Sequence, residues 1–323
     1  MTRTRFSLAA LLCCLVTAAS AQAEDLTPKA AGLVDLDTSL STSAKRVAAN
    51  QPVRNWMHDD IAGAWAAGYT GKGTTITVVD DFKSATRFYG NLGLGRKNLR
   101  HGQWTSLEAK MVAPNATMTA RDFNTGTTVK LAKRRLNVLN LSYGMYGTAG
   151  YTANQINWSA QETSIINYAR SGQAVISKAA GNDGVAVDQA NRRGSQDYLD
   201  LALVGAESAI FVGALSDNGS VDVPASLASY SNFAGDNPTV QSQFLVVGVD
   251  SSDMGMYGTS FAAPIVSGYA AILASKFSDA TPTQITNQLL NTAREDTLSN
   301  YDPAIYGQGE ASLSRALAPV HIN

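Results

Sequence analysis

The chain has 323 residues, of which 45% are hydrophobic and 16% charged, and this ordinary globular composition excludes a disordered or fibrous protein. Its formal net charge is -1 and no dense basic run occurs, so nothing in it forms an electrostatic footprint for nucleic acid. The length suits one large α/β domain or two small ones, with ample residues for a core.

Arg3 and Arg5 precede a mostly apolar, uncharged run from Leu8 to Ala19, and Ala21-Gln22-Ala23 supplies a small-x-small cleavage site. Residues 1–23 therefore read as a signal peptide, since the apolar run is too short to span a bilayer. A secreted or periplasmic chain is expected, with no membrane association after signal cleavage. Both cysteines, Cys13 and Cys14, fall in the apolar run, so the mature chain should have neither a disulfide nor thiolate chemistry. Residues 24–50, rich in Ser, Thr, Ala and Asp, read as an N-terminal extension. Residues 51–323 read as the main domain.

Trp56, Ile61 and Trp65 recur at helical spacing, Gly68 stops that helix, and Gly71 and Gly73 make a turn. Thr75 to Val79 is β-branched throughout and predicts a strand that ends in Asp80-Asp81. Further strands are expected at Val138 to Leu141, from Ala174 to Ile176 onward, at Ile210 to Ala214 and at Phe244 to Val247, with a helix over Gln161 to Ser171. This alternation predicts an α/β fold, a mostly parallel sheet with helices on both faces. Sites in such sheets lie beyond the carboxyl ends of the strands. Asp80, Ser142 and Asn182 all fall at such ends.

Gly258-Thr259-Ser260-Phe261-Ala262-Ala263-Pro264 opens a run of small and apolar residues suited to a closely packed helix. Free N–H groups and the helix dipole at its start favour developing negative charge. On position alone Ser260 is either an N-cap or a nucleophile. A serine nucleophile needs a base, and the chain has three histidines, His58, His101 and His321. His321 is almost terminal. His58 sits beside Asp59 and Asp60 in a helix start. His101 falls between Asp80 and Ser260.

These blocks resemble the subtilisin-like serine peptidases over roughly residues 55 to 317. Gly258 to Pro264 resembles the family's nucleophile motif. Gly71-Lys72-Gly73 with Ile76 to Asp80 resembles the segment of the catalytic acid, and His101-Gly102 resembles the start of the histidine motif. Asn140 to Gly144 resembles the strand that pairs with substrate, and Ala179 to Asn182 resembles the oxyanion segment. The resemblance implies a secreted serine endopeptidase acting through an acyl-enzyme, with Asp80, His101 and Ser260 catalytic and Asn182 in the oxyanion hole. Ser142, Tyr143, Gly144, Ala180 and Gly181 would bind a protein or peptide substrate. No cofactor is implied.

The chain departs from the family pattern in places. Asp81-Phe82 follow the acid, and Asp81 could itself be that acid. Gln103-Trp104 follow His101-Gly102. These departures motivate an alternative, a catalytically impaired binding protein of the same fold. A nucleotide-binding reading ranks low, because Gly71-Lys72-Gly73 precedes its strand rather than following it. The link between His101 and Val112-Ala113-Pro114 is short and offers one carboxylate, Glu108, so no calcium site is expected there. The resemblance implies a primary pocket between Ser142-Tyr143-Gly144 and Ala179-Ala180-Gly181; neither segment carries an acid, which predicts a pocket for large apolar side chains.

Overall fold

The computed structural model describes residues 52–322; the expected signal peptide and N-terminal extension lie outside the described residues. The chain enters through α1 (Asp59–Ala66) and turns at Gly71 and Gly73, whose φ values of +84° and +90° favour glycine. It then runs into β1 (Thr74–Asp80), buried along its whole length. A short hairpin, β2 (Phe88–Gly90) with β3 (Lys97–Leu99), leads to α2 (His101–Val112) and β4 (Thr117–Asp122). Next come β5 (Leu136–Leu141), β6 (Tyr146–Thr148), α3 (Ala160–Arg170), β7 (Val175–Ala179), β8 (Ser195–Asp197), α4 (Tyr198–Leu203) and β9 (Ala209–Leu215). After α5 (Pro238–Gln243), β10 (Phe244–Gly248) and α6 (Ser251–Met254), the long α7 (Ala263–Lys276) is followed by α8 (Pro282–Asn291).

Six strands form one sheet in the order β10-β9-β7-β5-β1-β4, and every neighbouring pair is parallel. β1 contributes Ile76 and Val78 to the core on one face and Val79 to the core on the other. Burial on both faces is why its sequence reads as a continuous β-branched run. The five strands expected from sequence are all present. β4 was not foreseen, because this edge strand is mostly exposed and lacks an apolar pattern. The stretch from His101 to Val112 is also not a loop but a twelve-residue helix.

α7 is buried from Ala263 through Ala274. Its small residues let it approach closely: a Cβ on Gly268 would collide with Val112 of α2. Buried polar bonds tie α7 to the sheet. Ser177 Oγ donates to Ala263 O at 2.8 Å, and Ser267 Oγ donates to Asn140 Oδ1 at 3.1 Å. The chain passes from β1 to β4 on one side and to β5 on the other. The strand order therefore reverses around β1, which places a crevice at the carboxyl ends of β1 and β5.

Candidate active site

Asp80 ends β1 and His101 opens α2. His101 Nδ1 lies 2.7 Å from Asp80 Oδ1, and both side chains are fully buried. The Asp81 N–H donates to the same oxygen at 2.6 Å, and Thr105 Oγ1 donates to Asp80 Oδ2 at 2.8 Å. Both carboxylate oxygens thus have partners, as a buried charge requires. The two elements are joined by their backbones as well, since Gly102 N–H donates to Asp81 O at 3.0 Å. A Cβ on Gly102 would run into that carbonyl at 2.9 Å and the Phe82 ring at 2.7 Å, so Gly is needed beside this histidine.

Asp81 faces the other way. Its carboxylate accepts N–H groups of Lys83 at 3.1 Å and Ser84 at 2.8 Å, together with the Ser84 hydroxyl. Burial pushes the Asp81 carboxyl up, but the Ser84 and Lys83 bonds and the charge of His101 together leave it below its ordinary value. The residues after His101-Gly102 have structural work. Gln103 Oε1 accepts the Arg100 N–H at 2.9 Å and closes the start of α2. The buried Trp104 donates its indole N–H to Phe88 O at 2.9 Å, anchoring the β2–β3 hairpin.

Ser260 sits in a one-turn 3-10 segment, Thr259–Phe261, immediately before α7. The N-cap of α7 is Ala262, with no side-chain cap, so Ser260 does not cap that helix. Its hydroxyl reaches Ser142 O at 3.4 Å. In return Ser142 Oγ, itself holding Asn140 Nδ2 at 2.9 Å, donates to Ser260 O at 2.9 Å. The residue after Ser260 touches the histidine: the Phe261 and His101 ring centroids are 5.7 Å apart, and Phe88 lies edge-on at 5.8 Å. The carboxylate, the imidazole and the serine loop thereby meet at the reversal of strand order.

Thr259 positions Asn182. Asn182 Oδ1 accepts the Thr259 N–H at 2.8 Å and the Thr259 hydroxyl at 3.0 Å, while Thr259 Oγ1 accepts the Gly181 N–H at 3.0 Å. A backbone N–H can only donate, so the amide oxygen is fixed on that side and the NH2 group on the other. Gly258, at φ +122°, passes under this amide, and a Cβ there would lie 3.3 Å from Asn182 Nδ2.

A cleft beside Ser260 is lined by Ser142, Tyr143, Gly144, Ala179, Gly181, Asn182 and Thr259, and also by Tyr146 and Lys178, which sequence reasoning missed. Tyr143 turns its side chain into the core, stacked on Phe123 and bonded to Glu162. Ala180 stands behind the cleft: it is fully buried, its N–H donates to Val212 O, and its carbonyl accepts from Asn232. The cleft is also small, about 30 Å³, and an acid, Asp197, stands beside Gly144. Neither pocket segment itself carries an acid, as read from the sequence, but the narrow cleft leaves less room than the expected pocket for large apolar side chains. Lys178 is buried with Asp197 and Asp200, its Nζ 3.1 Å from Asp197 Oδ2 and 2.8 Å from Asp200 Oδ1.

The other histidines are elsewhere. His58 Nδ1 accepts the Asp60 N–H at the start of α1, and its Nε2 meets Arg294 at 2.7 Å; His321 is exposed near the end of the chain. Among the described residues no cluster of three or more His, Cys, Asp or Glu could hold a metal, and no helix is long and apolar enough to cross a membrane.

Glu108 lies on α2 one turn past Thr105 and is fully buried, with no hydrogen-bond partner on either oxygen among the described residues. Burial pushes its carboxyl well above the usual range, against a weaker pull from His101. A raised folded-state value means stability that is complete below the unfolded value, near 4.5, and lost as pH rises through the folded one. Each unit crossed costs about 1.4 kcal/mol. Glu108→Gln removes the titration. In thermal melts of a Ser260→Ala background, the single variant should lose Tm from pH 5 to pH 8, and the double variant should stay flatter and higher at pH 8. Parallel curves would show that Glu108 does not titrate in this way.

A parallel α/β sheet that gathers an Asp–His pair and a serine loop at its switch point has the layout of a subtilisin-like serine peptidase. The sequence profile described as the Subtilase family matches residues 94–309, and the chain belongs to that family of serine peptidases. The matched span holds His101, Asn182 and Ser260 and begins after Asp80. Similar solved structures include the prenylagaramide maturation protease PagA, at 19% identity and TM-score 0.52 over 80% of this chain and 98% of that one. A lanthipeptide protease is similar at 17% identity and TM-score 0.55, over 84% and 92%. Proteases from Pseudoalteromonas arctica PAMC 21717 are similar at 20% identity and TM-score 0.51, over 80% and 93%. These likenesses concern the fold. No curated protein matches the chain.

Proposed function

We propose that the chain is a secreted serine endopeptidase whose triad is Asp80, His101 and Ser260. The observation that carries the reading is the 2.7 Å contact of Asp80 Oδ1 with His101 Nδ1, set against the loop that bears Ser260. Asp80 holds the imidazole in the tautomer with the proton on Nδ1, which leaves Nε2 to act as base. Ser260 Oγ loses its proton to Nε2 as it attacks the peptide carbonyl. The carbonyl oxygen takes the negative charge, and the Asn182 amide donates to it. The tetrahedral centre collapses when His101 gives the proton to the departing amine. An acyl ester on Ser260 remains, and water activated by the same histidine hydrolyses it.

Export rests on the charged, apolar and small-x-small pattern of residues 1–23. Protein or peptide substrates follow from the family. The departures that suggested an impaired enzyme have other roles here: Asp81 binds its own turn, and Gln103 closes a helix start.

A fluorophosphonate probe should label Ser260 of the purified mature protein, and casein should be cut. An unlabelled, inert protein would refute the reading. Asn182→Ala should lower kcat by about 10²–10³-fold, the size known for the corresponding donor in subtilisin, with less change in KM. An unchanged kcat would remove Asn182 from the oxyanion site.

A further inference from the structure

On the proposed reading the carbonyl oxygen of a bound peptide faces Asn182, and the resemblance to the family implies that the side chain before the cut enters the cleft lined by Ser142, Gly144, Lys178 and Gly181. Tyr146 stands in that space. A Cβ on Gly144, in one wall, would meet Tyr146 Cε2 at 2.5 Å, and a Cβ on Gly181, in the other, would lie 3.5 Å from Tyr146 Oη. The phenol therefore reaches from one wall to the other. Its backbone is pinned, because β6 pairs antiparallel with β8 and Tyr146 sits opposite Asp197. The remaining cleft, about 30 Å³, holds about two water-sized groups.

The charged groups behind the cleft face one another. Lys178 Nζ meets Ala179 O at 2.7 Å as well as Asp197 and Asp200. Asp197 Oδ1 accepts N–H groups of Met145 at 2.8 Å and Leu199 at 3.1 Å, and its Oδ2 faces Lys178. One ammonium is shared there by two buried carboxylates, and a substrate side chain would reach this cluster only by displacing the Tyr146 ring.

Resting on the peptidase reading above, we propose that Tyr146 is the specificity-determining residue of this cleft, and that it restricts cleavage to positions after Gly, Ala or Ser. A longer side chain has to push the ring away from two glycine walls and a paired strand, which a packed site resists.

The test uses mature enzyme and peptides identical except at the residue before the cut. Wild type should show kcat/KM at least about 100-fold higher for Ala than for Leu, Phe or Lys. In Tyr146→Gly that ratio should fall at least about tenfold, and in Tyr146→Phe, which keeps the ring, it should persist. A wild-type preference for Leu, Phe, Lys or Arg overturns the proposal, as does an unchanged ratio in Tyr146→Gly or a lost one in Tyr146→Phe. Should Tyr146→Gly fail to fold, the wild-type profile and Tyr146→Phe still decide. Labelling of Ser260 by a fluorophosphonate with a bulky preference refutes only the role of Tyr146. Absence of labelling and of all cleavage refutes the peptidase reading with it.

Discussion

Ser260→Ala is expected to abolish peptide cleavage and leave the fold unchanged. The substitution removes one oxygen, whose hydrogen bond among the described residues is a long one, 3.4 Å to Ser142 O. The bond that orients the loop runs to the backbone, from Ser142 Oγ to Ser260 O, and survives the change. On the proposed mechanism no acyl-enzyme can form without the hydroxyl. Members of a triad act as a unit, so the loss in kcat should be about 10⁶-fold and His101→Ala should come close to it. Circular dichroism and the melting curve should match the parent protein. His58→Ala should spare turnover by comparison, because His58 serves α1 and Arg294 rather than the serine loop. Retained casein cleavage by purified Ser260→Ala would end the assignment. Activity lost in His58→Ala and kept in His101→Ala would show that the base is misassigned.

Much of this was legible because the same physics writes the sequence and the structure. Thr75 to Val79 is β-branched because β1 is buried on both faces. The small residues around Gly268 read as a close-packed helix because α7 presses against α2. What could not be read were contacts made at a distance. Thr105 reaches Asp80 across 25 positions, and its role follows only once His101 and Thr105 share a helical face. The stretch from His101 to Pro114 reads as a short link because Gly102, Gln103 and Ser106 interrupt any clean apolar stripe. Its true signal is Glu108, a charged residue buried in register with His101 and Thr105. Tyr146 lies two residues beyond the recognisable Asn140 to Gly144 block, and β8, which pins it, is only three residues long. A pocket inferred from Ser142 to Gly144 and Ala179 to Gly181 alone therefore comes out too large. The middle residue of Gly258-Thr259-Ser260 is similar: the motif was legible, but its Thr acts on Asn182, 77 positions earlier.

Asp80→Asn should cost far more activity than Asp81→Asn. Asp80 is the carboxylate that faces the imidazole, held at the right angle by the Asp81 N–H and the Thr105 hydroxyl. Asparagine fits the same space but presents either an amide oxygen without charge or an NH2 group. The oxygen no longer stabilises the imidazolium, and the NH2 group forces the imidazole proton onto Nε2, where the base should be empty. The expected loss in kcat is about 10⁴-fold. Asp81→Asn keeps an acceptor for the Lys83 and Ser84 N–H groups and removes a charge that the structure directs into its own turn. Its effect should be mainly on stability, within about 1–2 kcal/mol for weakened hydrogen bonds. The pH profile separates the two further. A rate limited by the wrong tautomer should recover at alkaline pH in Asp80→Asn as hydroxide replaces the missing base, whereas Asp81→Asn should keep the profile of the parent enzyme. If Asp81→Asn is the crippled variant and Asp80→Asn remains active, the carboxylate that serves His101 during turnover is Asp81, and the contact seen at 2.7 Å belongs to a resting arrangement.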